Sequence, residues 1–295
     1  MKRRQNTEIW GLKVVGYLFL AGLGAGSIAI AAALDLNTNG QARALTLVGA
    51  CMALLGVGIG SLLLLADLGV PLRAFRLVGN KSSLISIGSV ILSSLLVLAF
   101  ITVLVGLFST NAGTLFTVLL VADVVLALAG SLYIGFLLAV VKCRPFWNTP
   151  LLPLLFVMSS LSTGVAMLTL VASIGGAIGY AISVPEQIAG IETILLTVEL
   201  LMVASYVITM ENSLPQARSS VRRLISGDLA MMFWTGVVLA GLVLPLGLQV
   251  VDLTATAWVA AVLVLIGGFS LRYTFLFAGV RALLPGEARA AAMLR

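Results

Sequence analysis

Long apolar stretches separated by short polar segments make up nearly the whole chain, and this alternation predicts its secondary structure. A helix needs roughly 20 apolar residues to cross the hydrocarbon core of a bilayer. We therefore predict an all-α membrane protein with eight transmembrane helices, called spans one to eight. Their predicted ranges are 11–34, 43–67, 84–108, 114–141, 151–178, 188–210, 228–249 and 257–281.

The overall composition agrees with this pattern. Hydrophobic residues make up 61% of the chain and charged residues 9%, and the mean hydropathy is +1.18, as in membrane proteins that cross the bilayer several times. The first stretch is too long for the apolar region of a signal peptide, so we expect it to be retained as span one.

Basic residues are concentrated on one side of the predicted membrane. Both termini and the connections after spans two, four and six carry nearly all of them, whereas the opposite connections carry only Arg43. The positive-inside rule places the basic side in the cytoplasm of a cell (inner) membrane, with both termini and the loops 71–83, 142–150 and 211–227. The net charge of +6 reflects this topology, and we expect no nucleic-acid binding.

The residue types that hold redox metals are scarce. The chain has no histidine and two cysteines, Cys51 and Cys143. Haem irons in membrane spans are usually held by histidines, and iron–sulfur clusters generally need four thiolates. We expect neither haem nor an iron–sulfur cluster in this chain, so any metal centre that it uses belongs to a partner.

Similar segments recur along the chain and suggest an internal duplication. The segment 18–26 of span one is echoed by 155–164 of span five, and 131–133 of span four by 270–273 of span eight, at an offset of about 140 residues. Four spans in each half give both halves the same orientation, as in parallel repeats. We predict two four-helix bundles, 1–142 and 143–295.

Ionisable residues inside the membrane are functional candidates, because an unpaired charge there costs several kcal/mol. Glu192 and Glu199 are seven residues apart and share a helical face. The alternative is that such residues form interhelical pairs that fix the packing, for instance Asp67 with Arg73 or Arg272. Asp67 also lies near enough to the interface to reach water. The candidates are Asp67, Asp123, Glu192, Glu199 and Arg272.

Small and hydroxyl-bearing residues mark spans one and five. The run Gly22-x-Gly24-x-Gly26 either permits close helix packing or makes room for a flat ligand ring beside span one. The hydroxyl groups of span five suit ordinary hydrogen bonds between helices. These hydroxyl residues are Ser159, Ser160, Ser162 and Thr163.

Three motifs resemble those of the NrfD/PsrC family, the membrane subunits related to polysulfide reductase that react with quinones. Span one carries Tyr17, Phe19, Gly22 and Gly26, and span two ends in Asp67, Leu68, Gly69, Pro71 and Arg73. The end of span four and the next loop carry Tyr133, Gly135, Leu137, Arg144, Pro145, Trp147 and Asn148.

The resemblance implies a membrane subunit of a respiratory oxidoreductase complex that is not catalytic alone. Such a subunit exchanges electrons and protons between a docked ferredoxin-like iron–sulfur subunit and the quinone pool. Menaquinone or ubiquinone is the exchangeable substrate. Through the iron–sulfur subunit, the complex includes a catalytic subunit of the molybdopterin type.

The resemblance also implies site residues. In the family, the quinone headgroup lies at the end of the first bundle, bound by polar residues of span one and a tyrosine of span four. The tyrosine corresponds to Tyr133, and Tyr17 is the polar candidate in span one; Gly22 and Trp147 complete the predicted quinone site. Tyr133 would donate a hydrogen bond to a quinone carbonyl, and Asp67, expected to be desolvated, would relay protons.

Further residues are predicted to serve proton transfer and docking. Asp67, Asp123, Glu192, Glu199 and Arg272 would form a proton path toward the outer face. Several family members bind a periplasmic partner at the face bearing the termini. Here that face is basic, so we expect a cytoplasmic partner; the alternative is that the charge rule misleads for this chain. The predicted docking residues are Arg73, Arg76, Arg144 and Arg218.

Two other classes of protein compete with this interpretation. A secondary transporter would also contain repeats and buried charges, with a substrate site at the midplane beside a broken helix, and Pro245 could break span seven. A passive anchor for a soluble enzyme would explain neither eight spans nor the buried acids.

Overall fold

The computed structural model describes residues 11–67, 84–108, 113–178, 182, 187–250 and 254–282. All regular secondary structure in these residues is helical, and eight helices are long and apolar enough to cross a membrane, as predicted. Spans one to six are Leu12–Asn37, Arg43–Asp67, Leu84–Phe108, Gly113–Ala139, Leu151–Ala177 and Gln187–Glu211. Span seven joins a π-helix, Met232–Val243, to an α-helix, Leu244–Val250, and span eight is Thr254–Ala278.

Spans one and two are joined by a tight turn. Span one continues to Asn37, three residues beyond its predicted end. The chain then reverses through Asn39 (φ 51°) and Gly40 (φ 90°), two residue types that tolerate a left-handed backbone. The Gly40 N–H donates to the carbonyl oxygen of Asp35 at 3.0 Å, which closes the end of the helix.

The connection between spans six and seven contains a short amphipathic helix, Pro215–Ile225, which we call the interface helix. The hydropathy pattern predicts only a loop for this segment. Its proline lies in the first turn, where a missing N–H costs nothing. One side packs inward through Ala217, Ser220, Val221 and Leu224, whereas Arg218 and Arg222 are exposed.

The π-helix of span seven ends beside Pro245. The Leu244 N–H donates to the carbonyl oxygen of Leu239, five residues earlier. A proline ring clashes with the carbonyl four residues before it and lacks an N–H, so a wider turn before Pro245 relieves the clash. π-Helical turns are uncommon and recur at functional sites.

Span one is the centre of the helix assembly and contacts spans two, four, five and eight. Its crossing with span five is a contact between backbones. A β-carbon on Gly26 would overlap the carbonyl oxygen of Ser160, and one on Gly164 would overlap the backbone of Gly26. Close packing is therefore the role of Gly26 in this fold. The repeat and the division into bundles 1–142 and 143–295 stay predictions.

Candidate functional site

Two tyrosines meet near the membrane face that bears the termini. Tyr17 lies five residues after the start of span one and Tyr133 six before the end of span four, about 8 and 9 Å along their helices. Their phenol groups are neighbours, and both side chains are buried. The ring of Tyr133 lies against Gly88 of span three, where a β-carbon would overlap it.

The Tyr17 hydroxyl is poorly hydrogen-bonded, because the Tyr133 hydroxyl lies beside it but not at good hydrogen-bond geometry. It is buried and makes no hydrogen bond of good geometry in the described part of the chain. A buried hydroxyl without a partner costs about 1–3 kcal/mol. Such a group is therefore ready to bind a ligand atom that accepts or donates a hydrogen bond.

A fully buried arginine connects span eight to spans one and five. Arg272 donates from Nε to the Leu18 carbonyl oxygen at 3.0 Å and from Nη1 to the Gly268 carbonyl oxygen at 2.9 Å. Its Nη1 and Nη2 also donate to the hydroxyls of Ser159 (3.0 Å) and Ser160 (3.2 Å). These contacts involve the serines that the sequence suggested as hydrogen bonders, but with an arginine as their partner.

The space beside Gly22 is occupied by this arginine. A β-carbon on Gly22 would lie 2.8 Å from Nη2 of Arg272 and 2.6 Å from Oγ of Ser160. The suggestion that the glycine run leaves room for a flat ligand ring is therefore wrong at Gly22 itself. Its predicted part in quinone binding stays untested.

Glu199 belongs to the same polar cluster. It is buried on span six and accepts a hydrogen bond from Ser162 at 2.5 Å. Ser159 lies between Glu199 and Arg272 and interacts with both, and the two charged groups attract each other without a direct ion pair in the described residues. The sequence suggested an interhelical ion pair between Arg272 and Asp67, and this suggestion is wrong.

Two further polar groups lie closer to the opposite face, at a matching spacing along spans five and six. Thr169 lies seven residues after Ser162 on span five, and Glu192 seven before Glu199 on span six. Because the spans are antiparallel, both pairs lie on the facing sides. Oγ1 of Thr169 and Oε1 of Glu192 are buried without a hydrogen bond among the described groups. The sequence predicted the shared face of the two glutamates and named Ser162 as a hydrogen bonder, but it did not single out Thr169.

Asp123 is buried at another place in the helix assembly. One of its carboxylate oxygens accepts a hydrogen bond from Thr102 of span three at 2.6 Å, and the other makes none in the described part of the chain. Its contacts join spans three and four, not the Glu199 cluster.

Asp67 is less buried than the sequence predicted. It is the last residue of span two, and its side chain is exposed. The prediction that Asp67 is desolvated is therefore wrong for this chain alone. Arg73 and Arg76 lie outside the described residues.

Trp147 and Arg144 are bound to the end of span eight. The Trp147 indole is buried, donates from Nε1 to the Phe275 carbonyl oxygen at 2.8 Å, and lies under the Arg144 guanidinium, 4.6 Å from the ring centre. Trp147 therefore packs the loop onto span eight, and its part in quinone binding stays a prediction. Arg218 is exposed and pairs with Glu211 at 3.7 Å.

The residues that the structure describes contain no group of three or more His, Cys, Asp or Glu side chains that could hold a metal ion. Cys51 and Cys143 are both free and exposed. The clusters instead consist of hydroxyl groups, carboxylates and one arginine, which suit a ligand carbonyl oxygen or a mobile proton.

These features define a multi-pass membrane protein whose helical interior contains buried polar clusters. The chain belongs to the family "Polysulphide reductase, NrfD", whose model matches residues 2–283, so the predicted family is confirmed.

Three relatives illustrate this membership. A polysulfide reductase chain of Wolinella succinogenes is 30% identical over 308 residues, covering 93% of this chain and 95% of the relative. A protein NrfD homolog of Haemophilus influenzae is 25% identical, covering 92% and 94%. A selenate reductase subunit of Mesobacillus selenatarsenatis is 30% identical over 114 residues, covering 38% and 27%.

Proposed function

We propose that this chain is the membrane subunit of a respiratory reductase complex in the cell membrane. It exchanges electrons and protons between a docked ferredoxin-like iron–sulfur subunit and the quinone pool, and the complex includes a molybdopterin-type catalytic subunit. Family membership supports the proposal, as do relatives named as parts of polysulfide and selenate reductases. The single structural observation that carries it is the pair Tyr17 and Tyr133.

The quinone headgroup, of menaquinone or ubiquinone, lies next to this tyrosine pair. Tyr133 and Tyr17 donate hydrogen bonds to a quinone carbonyl oxygen, which satisfies the hydroxyl that Tyr17 otherwise buries without a bond. The two side chains come from different spans and lie at similar depth, so both reach one ligand. Quinone reduction needs two electrons and two protons. The electrons come from the partner subunit, and the exposed Asp67 collects protons at the surface.

A second proton route runs through spans five and six. Its groups are the Thr169 and Glu192 pair, then the Ser162 and Glu199 pair, and finally Arg272 at span one. The unbonded atoms of Thr169 and Glu192 suit bound water, which can carry protons between such groups. In this proposal Asp123 lies off the route, because its partner is in span three.

The partner docks on the basic face that bears the termini, and the charge rule makes this face cytoplasmic. Arg73, Arg76, Arg144 and Arg218 supply the positive charge that would attract an acidic partner. Charges of this kind mainly set the rate and specificity of association.

The test is quinone-linked turnover of the purified complex with Tyr133→Phe and Tyr17→Phe. Each change keeps the ring and removes one hydroxyl, so turnover should fall about ten- to a hundredfold. Tyr273→Phe is the matched control, because Tyr273 lies at the corresponding depth of span eight and its ring contacts Phe277. Near-normal turnover in both variants, with the complex intact, would place the site elsewhere.

A secondary transporter is the second candidate, favoured by one observation. The π-helix of span seven packs beside Glu199, in the middle of the helix assembly, where Ser162, Val237, Gly241 and Gly268 line a gap too narrow for a water molecule. A transporter would have to widen this gap to bind substrate at the midplane. Co-purification with a quinone and an iron–sulfur subunit would decide for the reductase.

A further inference from the structure

The ring of Tyr133 lies against the backbone of span three at Gly88. A β-carbon on Gly88 would lie 1.9 Å from Cζ and Cε2 of Tyr133 and 2.3 Å from Cε1. These three atoms form the end of the ring that carries the hydroxyl group. Ordinary contact between such atoms begins at 3.4 Å. A side chain at position 88 would therefore displace the hydroxyl end of Tyr133 by well over an ångström.

Gly88 belongs to a buried face of span three that packs against span four. Five buried residues of this face follow one another at intervals of three or four residues, the spacing of one helical face: Gly88, Leu92, Leu95, Ala99 and Thr102. At the far end of the face, Thr102 donates to Asp123 at 2.6 Å. Between the two ends, a β-carbon on Gly130 would lie 3.2 Å from Cδ2 of Leu92. The two spans therefore fit together along their length, and this contact fixes where the Tyr133 ring lies.

The hydroxyl at this end of the ring is the one that meets span one. The phenol groups of Tyr133 and Tyr17 are neighbours, and the Tyr17 hydroxyl is buried without a hydrogen bond of good geometry. A ligand oxygen that bonds to both hydroxyls must lie within about 3 Å of each. A misplacement of about 1 Å can cost a hundredfold in rate where groups must be aligned. The missing side chain at position 88 therefore bears directly on ligand geometry.

We propose that Gly88 is a positioning residue of the quinone site and that span three forms a wall of this site, an inference that rests on the proposed function. Gly88 does not contact the quinone. It leaves the space in which the Tyr133 ring lies, so that the Tyr133 hydroxyl reaches the same carbonyl oxygen as Tyr17. The site proposed above uses spans one and four, and the contact at Gly88 adds span three to it.

The first test is turnover of the purified complex with a short-chain menaquinol analogue and, separately, a ubiquinol analogue. Gly88→Ala should lower kcat/KM about ten- to a hundredfold and raise KM for the analogue. Combining it with Tyr133→Phe should add little to the loss from Tyr133→Phe alone, because the hydroxyl that Gly88 positions is already absent. A general packing defect would instead multiply the two losses and leave KM unchanged.

Gly130→Ala is the matched control for this test. It adds the same carbon to the contact between spans three and four, but its neighbour is the flexible end of Leu92 instead of the Tyr133 ring. Its kcat/KM should therefore stay close to that of the wild type.

The second test needs no quinone and uses thermal unfolding of the full chain in detergent. Gly88→Ala should lower Tm in the wild-type background but not in the Tyr133→Ala background, where the ring that the added carbon would strike is absent. If Gly88→Ala does not assemble by itself, the yield of folded protein replaces Tm. Recovery of the yield in the Tyr133→Ala background then supports the contact, and no recovery overturns it.

Two results would overturn the role of Gly88 and leave the quinone site in place. One is normal kcat/KM in Gly88→Ala while Tyr133→Phe is impaired, and the other is a multiplied loss in the double variant. An equal fall in Tm in both backgrounds would also overturn it, because the added carbon would not be striking the ring. Normal kcat/KM in both single variants, with the complex intact, would overturn the proposed quinone site and the role of Gly88 together.

Discussion

Nε of Arg272 donates a hydrogen bond of 3.0 Å to the carbonyl oxygen of Leu18, 254 residues earlier in the chain. Leu18 directly follows Tyr17, so the buried arginine of span eight is fastened to the helix that carries one of the two tyrosines. The same arginine reaches Ser159 and, through it, Glu199. A continuous set of polar contacts therefore links the second half of the chain to span one.

Replacing Arg272 should destabilise the protein. Arg272→Gln removes a buried cation from four hydrogen-bond acceptors and leaves Glu199 without its electrostatic partner, at a cost of about 3–5 kcal/mol. Arg272→Lys keeps the charge but lacks the planar group that reaches spans one, five and eight together, so it should restore only part of the stability. Thermal unfolding in detergent measures both variants. Wild-type stability of Arg272→Gln would contradict the structural role.

Helix packing at Gly26 should not tolerate a side chain. Gly26→Ala places a β-carbon against the Ser160 carbonyl oxygen, so spans one and five must separate, at about 3 kcal/mol. Gly58→Ala in span two is the matched control, because no atom lies within 4 Å of the added carbon. Melting temperature and yield of folded protein measure the difference. Equal behaviour of the two variants would mean that the crossing is looser than described.

Proton transfer through spans five and six should depend on Glu199. Glu199→Gln keeps the shape and can still bond to Ser162, but it cannot exchange a proton. We expect charge movement across vesicle membranes to fall at least tenfold during quinone turnover. Voltage-sensitive dye records the signal. Glu211→Gln, at a half-buried carboxylate paired with Arg218, should leave it unchanged; an undiminished signal in Glu199→Gln would remove this route.

The sidedness of the protein can be read from a native cysteine. Cys143 is exposed in the loop after span four, and the basic residues place this loop in the cytoplasm. A maleimide that cannot cross the membrane should label Cys143 in inverted vesicles but not in intact cells. The variant Cys51→Ser excludes labelling at the other cysteine. Labelling in intact cells would move the partner to the outer side.

The span pattern was readable from the sequence because each span needs only a long apolar stretch. The π-helix of the seventh span and the interface helix were harder to predict from the sequence. The segment around Arg218 is polar overall, and its helix depends on packing Ala217 and Leu224 under the end of span eight. The π-helix before Pro245 likewise results from local backbone geometry, which hydropathy does not record.

The candidate site was likewise only partly predictable from the sequence. Tyr17, Tyr133, Glu199 and Arg272 were recognisable from the sequence, since polar residues are rare at such depths.

Their partners were decided by the tertiary structure. The sequence determined which side chains are too costly to bury alone. Only helix packing decided that Arg272 contacts Leu18 and the span-five serines instead of Asp67, because close glycine crossings such as Gly26 with Ser160 bring distant spans together.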